Sequence, residues 1–308
     1  MQSSSRLFPV TLTATDMAAD LFEDVYLLNP GVSPDPSVRI AVTRVRDPAW
    51  EGARFPVVLL HREFQNKRQW LSPGGQGLAA LLARYGFDVW LAEMRGHGMS
   101  PRNRDWALGH IALLAEEDLP PVQRFVEEQS GTPPAWLGEG VGARLLAHAM
   151  IHNVAFMRRV PAVVFVDPGR ADSHWTESRR PLGDRLGLRR RQRFLGGLHR
   201  WGPEDEPSVL FQDLYRSQKR YRKGKGHPTH EGLRIIRCPG LVVGVEDDEE
   251  TVYSFARNLG GQVRHTLGPR DGGRRPATTP DSLGTALQDD IRAWLSEQTC
   301  DWGAERID

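Results

Sequence analysis

Cysteine is scarce in this chain. Its 308 residues hold two, Cys238 and Cys300, with neither the number nor the spacing for a disulfide framework or a metal site. Both read as reduced structural residues, and no metal or cofactor is expected. Also absent is any apolar run near the roughly 18 residues that a membrane-spanning helix needs. The first residues, Met1-Gln2-Ser3-Ser4-Ser5-Arg6, lack the apolar stretch of a secretory signal. The expectations are a cytoplasmic location and no transmembrane segment. Net charge is almost missing too, at +1, which argues against nucleic acid as a partner. The balance hides an asymmetry: Pro168 to Gly232 carries fifteen Lys and Arg against eight Asp and Glu.

What is present is a core. Hydrophobic residues make up 39% of the chain, enough for one large α/β domain or a core with an inserted subdomain. Val38 to Val45 alternates apolar and polar residues and reads as a strand, with a partner expected in Val10 to Thr15. Pro56 to Leu60, Phe87 to Ala92, Ala135 to Leu137, Ala162 to Val166 and Pro239 to Val245 are short apolar runs that suit strands buried on both faces. Between them, Gly77 to Tyr85, Ile111 to Gln129, Ala143 to Phe156 and Thr251 to Leu259 have helical spacing. Gln262 to Leu267 is expected as the last strand and Leu283 to Glu297 as the closing helix. Alternating strands and helices imply an α/β class with a mostly parallel central sheet covered on both faces. Regular spacing fails after Pro168, where Pro181, Gly183, Gly187, Gly196, Gly197, Gly202, Pro203 and Pro207 interrupt short helical pieces. The organisation read here is a core of 1–167 and 233–308 with a basic cap or lid inserted at 168–232.

Gly138-Glu139-Gly140-Val141-Gly142 carries the most information. It is a Gly-x-Ser-x-Gly nucleophile elbow with glycine where the serine should stand, set between a short strand and an apolar helix as that motif requires. Flanking glycines allow helix and strand to approach closely, and Gly140 removes both the strain of a side chain and the hydroxyl.

Together with the elbow, three further stretches resemble the α/β-hydrolase superfamily, in particular its lipase, esterase and proline-iminopeptidase-like branches. They are Val57-Val58-Leu59-Leu60-His61, the block Asp88-Val89-Trp90-Leu91-Ala92-Glu93-Met94-Arg95-Gly96-His97-Gly98-Met99-Ser100, and Pro239-Gly240-Leu241-Val242-Val243-Gly244-Val245-Glu246-Asp247-Asp248. The resemblance runs from about Val38 to Leu295 and implies an α/β-hydrolase fold with an inserted lid. It implies a hydroxyl activated by an imidazole that a carboxylate orients, and two backbone N–H groups facing the oxyanion. Residue by residue, the nucleophile position is Gly140 and the acid position is Asp248 or Asp247. The histidine should follow the last strand near Gly268 to Gly273, but the chain has Gly268-Pro269-Arg270-Asp271-Gly272-Gly273 there and no histidine after His265. Where the family has His-Gly in its oxyanion loop, this chain has His61-Arg62, followed by Glu63-Phe64.

The expectation is therefore a hydrolase scaffold with a dismantled triad and no conventional esterase or lipase activity, kept as a ligand-binding or partner-binding protein. The N-myc downstream-regulated family is similar at the elbow, also with glycine for serine, and its members are thought to be non-enzymatic. The alternative is an active carboxylic-ester or acyl hydrolase with a relocated nucleophile, for which Ser100, Ser173 and Ser178 are the serines nearest pocket-lining loops. His61, Arg62, Glu139, Val141 and Trp175 are the candidate ligand-binding residues, with Glu139 read either as a polar group over the pocket or as a solvated turn residue. His148 and His152 share a helix face at i and i+4 and read as structural rather than zinc ligands. The expected ligand is small, apolar or acyl. The run Arg216 to Lys225, with Tyr215 and Tyr221 interleaved, reads first as a solvated loop; the alternatives are a surface for phosphate-bearing ligands, nucleic acid, an anionic membrane or a protein partner.

Overall fold

The computed structural model describes residues 3–52, 54–168, 193–210, 212–213, 232–245, 249–268 and 283–304. Strands β1 (Val10–Ala18), β2 (Leu21–Leu28), β3 (Ile40–Arg46), β4 (Phe55–Leu60), β5 (Phe87–Ala92), β6 (Ala135–Glu139), β7 (Val163–Val166), β10 (Gly240–Val245) and β11 (Val263–Gly268) form one sheet in the order β1-β2-β3-β5-β4-β6-β7-β10-β11. From β5 to β11 every pairing is parallel, while β1, β2 and β3 join antiparallel at one end. The fold is that of an α/β hydrolase, as expected.

The middle strands are apolar along their length because both faces are covered. Val58, Leu60, Trp90, Trp136, Phe165 and Val242 point to one face, under α2 (Ile111–Glu117), α3 (Leu119–Ser130), α4 (Val141–His152), α5 (Val154–Met157) and α7 (Glu249–Asn258). Their neighbours Val57, Leu59, Val89, Leu91, Leu137, Val164 and Val243 point to the other, under α1 (Leu78–Arg84) and α8 (Thr285–Ala304). The period of two in a strand sorts adjacent residues into two separate cores.

Three local expectations are corrected. Val38 to Val45 does not pair with Val10 to Thr15: β2 lies between them and pairs with both. Ile111 to Gln129 is two helices broken at Asp118, because Pro120 and Pro121 lack the N–H groups a continuing helix needs. Ala143 to Phe156 is also two helices; α4 begins earlier, at Val141, and ends at Asn153, whose side chain accepts the Phe156 N–H and caps α5.

Within the segment read as an insertion, a two-strand ladder pairs β8 (Arg193–Phe194) with β9 (Glu206–Pro207), around the short helix α6 (Gly196–His199). Among the described residues no helix is long and apolar enough to cross a membrane.

Candidate functional site at the elbow

The C-terminal ends of β4, β6 and β7 bring together His61-Arg62-Glu63, Gly140 and Asp167. This is the edge at which open parallel sheets hold ligands. Gly140 has φ 56° and ψ −115°, a backbone that side chains rarely adopt. The turn thus keeps the strained geometry of an elbow although its central residue bears no side chain. Gly142 is needed for contact, since a Cβ there would lie 2.5 Å from the His61 carbonyl oxygen. Gly138 is needed likewise, with Ala143 N 2.7 Å from where its Cβ would be.

Beside Gly140 lies a carboxylate. The Val141 N–H, at the N-terminus of α4 and directly after the elbow residue, donates to Glu63 Oε2 at 3.0 Å. The same oxygen would lie 2.7 Å from a Cβ built on Gly140. Helix N-terminal amides favour a negative partner, and Glu63 supplies it from within the chain. Glu63 is only 2% exposed, as an uncompensated charge could not be. Arg62 lies 3.6 Å from Glu63 and 3.8 Å from Glu139. Gln69 donates to Glu139 Oε2 at 2.6 Å and accepts the Arg62 N–H at 3.0 Å. Arg144, one turn into α4, donates to the Pro168 carbonyl. Burial pushes its guanidinium down to about 10, and Glu63 opposes that shift.

The candidate ligand-binding residues divide on this geometry. Arg62, Glu139 and Val141 converge on the elbow, whereas His61 approaches it only through its backbone carbonyl, beside Gly142. Glu139 is buried at the end of β6, so the solvated-turn reading is wrong. Asp247, Asp248, Trp175, Ser173, Ser178 and the run Arg216 to Lys225 lie outside the described residues. Ser100 is buried and committed to structure: its Oγ donates to the Glu93 carbonyl at 2.8 Å and accepts the Ala41 N–H at 2.7 Å. His148 bonds Glu116 at 3.0 Å and stacks on His152, and no cluster of potential metal ligands occurs among the described residues. Glu63, Gln69 and Arg144 were missed. The one available signal was two charged residues, Arg62 and Glu63, in a loop where a small residue is usual.

His61 and His97 are both fully buried with ring centroids 5.1 Å apart. The Met94 N–H donates to His61 Nε2 at 3.0 Å, so the proton sits on Nδ1, which donates to the Arg62 carbonyl at 2.8 Å. Burial, then the neighbouring His97, pushes the His61 pKa down to about 3. His97 faces two acceptors, the Arg95 carbonyl and Glu206 Oε1, each at 3.1 Å. Burial disfavours its charge, but Glu206, Glu204 and that carbonyl outweigh it and its pKa is raised.

These opposite shifts predict a stability maximum. His97 stabilises fully below the unfolded value near 6.5, and the contribution is lost as pH rises through its raised folded value. His61 stabilises above 6.5, and its contribution is lost as pH falls from there toward 3. The two histidines together favour the fold most close to pH 6.5, although Asp118, whose carboxyl is raised by burial to about 6, opposes the acid limb; the urea midpoint should decline above about pH 6.5, and His97→Gln should flatten that alkaline limb. An alkaline limb that is the same in the wild type and His97→Gln would show that His97 is neutral in the fold.

The Alpha/beta hydrolase family model matches residues 52–283. The chain belongs to that family. Over 133 residues it is 28% identical to triacylglycerol lipase 2 of Arabidopsis thaliana, a match spanning 41% of this chain but only 32% of the lipase. Among solved structures, a monoglyceride lipase from Saccharomyces cerevisiae matches with a TM-score of 0.64 at 13% identity, covering 85% of this chain and 92% of the lipase. A cold-adapted esterase from an Arctic intertidal metagenomic library matches with a TM-score of 0.57 at 14% identity, covering 94% and 99%. At these identities the structural likenesses establish the fold alone.

Proposed function

We propose that this chain is a non-catalytic member of the family, which binds a small apolar or acyl ligand or a protein partner through the hydrolase scaffold. In this reading residues 1–167 and 233–308 are the core and 168–232 a basic lid. The observation that carries it is the contact between the Val141 N–H and Glu63. In the family's mechanism the N–H following the nucleophile helps to bind the oxyanion that forms during acyl transfer. Here that donor is already satisfied by a side chain of the same protein. With glycine at 140 the elbow offers no hydroxyl, the amide that follows it is occupied, and Arg62 lies between the two glutamates.

Two departures from an active site then support one another. A serine at 140 would meet Glu63 Oε2 and, at 3.1 Å, Arg62 Cβ, so the loop after β4 and the elbow are matched to each other as they stand. The test is covalent labelling with a fluorophosphonate probe, which reports an activated serine. Neither the wild type nor Gly140→Ser should be labelled or cleave a short p-nitrophenyl ester. Labelling of the wild type at any mapped serine defeats the reading in favour of a relocated nucleophile, and activity in Gly140→Ser would reveal a working base.

A further inference from the structure

We propose that the small cavity between β9 and the loop following β5 is a binding site for one structural water, which completes a buried joint between the 204–207 segment and the core. The cavity measures about 10 Å³ and is lined by Arg95, His97, Asn103, Trp106, Leu114 and Glu206, among others. That volume is close to what a single water occupies.

Two lining residues each present an acceptor with no partner among the described residues. Glu206 is 1% exposed; its Oε1 accepts from His97 and from the Phe64 N–H, at 2.8 Å, while Oε2 accepts nothing. Asn103 is 6% exposed; its Nδ2 donates to Asp35 at 2.7 Å, while Oδ1 accepts nothing. Buried acceptors of this kind are nearly always satisfied. A water has two O–H donors to offer, one for each oxygen.

A cation is the competing occupant. Arg95 and Asp105 also line the cavity, but the Arg95 guanidinium is committed to Asp118 and Glu117. Glu206 Oε1 already takes N–H donors from His97 and Phe64, so what the second oxygen lacks is one further donor, which a water supplies without the cost of stripping an ion of its hydration shell.

The joint bears on the elbow through Phe64. This residue has φ 59°, an uncommon conformation for a non-glycine residue. Both of its backbone groups are held by the same segment: its N–H by Glu206 and its carbonyl by the Glu204 N–H at 3.1 Å. Glu204 also binds Asn66 and the Gly98 N–H. A fully bonded Glu206 therefore fixes the loop that carries Arg62 and Glu63.

The test is a crystal structure of the full chain at a resolution that shows buried waters, with a second crystal soaked in a thallium(I) salt. The expected result is one peak within hydrogen-bond distance of both Glu206 Oε2 and Asn103 Oδ1, without anomalous signal. A map that shows other buried waters but no density here overturns the proposal, as does a peak reaching only one of the two oxygens. An anomalous thallium peak overturns it in favour of a monovalent cation. In solution, oxygen-17 relaxation dispersion should count one long-lived water fewer in Asn103→Leu than in the wild type; an unchanged count in the folded variant contradicts the site.

Discussion

Replacing Glu63 by alanine is expected to destabilise the fold by about 3–5 kcal/mol, the usual cost of removing one partner from a buried charge cluster. The substitution leaves the Val141 N–H without its acceptor and removes a negative charge that acts on both Arg62 and the fully buried Arg144. Of these, the lost electrostatic compensation weighs most, because burying charge without it costs more than losing one amide hydrogen bond. Glu63→Gln should cost clearly less, since its amide oxygen can still accept from Val141. Urea denaturation measures both variants. If Glu63→Ala lies within about 1 kcal/mol of the wild type, the glutamate is a bystander and not the resident anion of the elbow.

Gly142→Ala should cost about 3 kcal/mol, at the high end for overpacking. Its Cβ would meet two backbone atoms, the carbonyl oxygens of His61 and Leu60 at 2.5 and 2.6 Å. Backbone cannot rotate away as a side chain can, so relief would require α4 to move off β4 and carry the Val141 amide from Glu63. A control is Gly74→Ala, where the nearest atom outside its own neighbours is Ser72 Oγ at 3.7 Å, and where the change should stay within about 0.5 kcal/mol. Thermal unfolding of the two variants decides the matter: similar melting temperatures would mean that the elbow is looser than its contacts imply.

The central strands were legible in the sequence because a strand buried on both faces must be apolar throughout, and a few adjacent residues suffice to display that. The elbow was legible for a similar reason, since Gly138, Gly140 and Gly142 stand where backbone contacts and a positive φ leave no room for side chains. Less was visible at the antiparallel end. Leu21–Leu28 carries Glu23 and Asp24 in its middle, so it does not advertise itself as a strand, yet both are buried and paired in the fold, Asp24 with Arg46 and Glu23 with Lys67. The break at Asp118 was written in Pro120 and Pro121, but the apolar spacing runs on across it and masks the stop.

Glu63 and Glu139 show where local reading stops. Nothing in their immediate neighbours says that both are buried, because a glutamate in a loop is ordinarily solvated. Their burial depends on Gln69, Arg144 and the Val141 amide, some of which lie nearly eighty residues away and arrive only when β4 and β6 pair side by side.

By itself, then, the chain's sequence determined the layers of the sheet, the family and the glycine at the centre of the turn, all of which follow from apolar periodicity and from the steric needs of single positions. Tertiary structure alone decided what stands beside that glycine. Whether a charged side chain is solvated or enclosed depends on which distant groups neutralise it, and electrostatic partners of that kind are set by strand order and loop approach rather than by spacing along the chain.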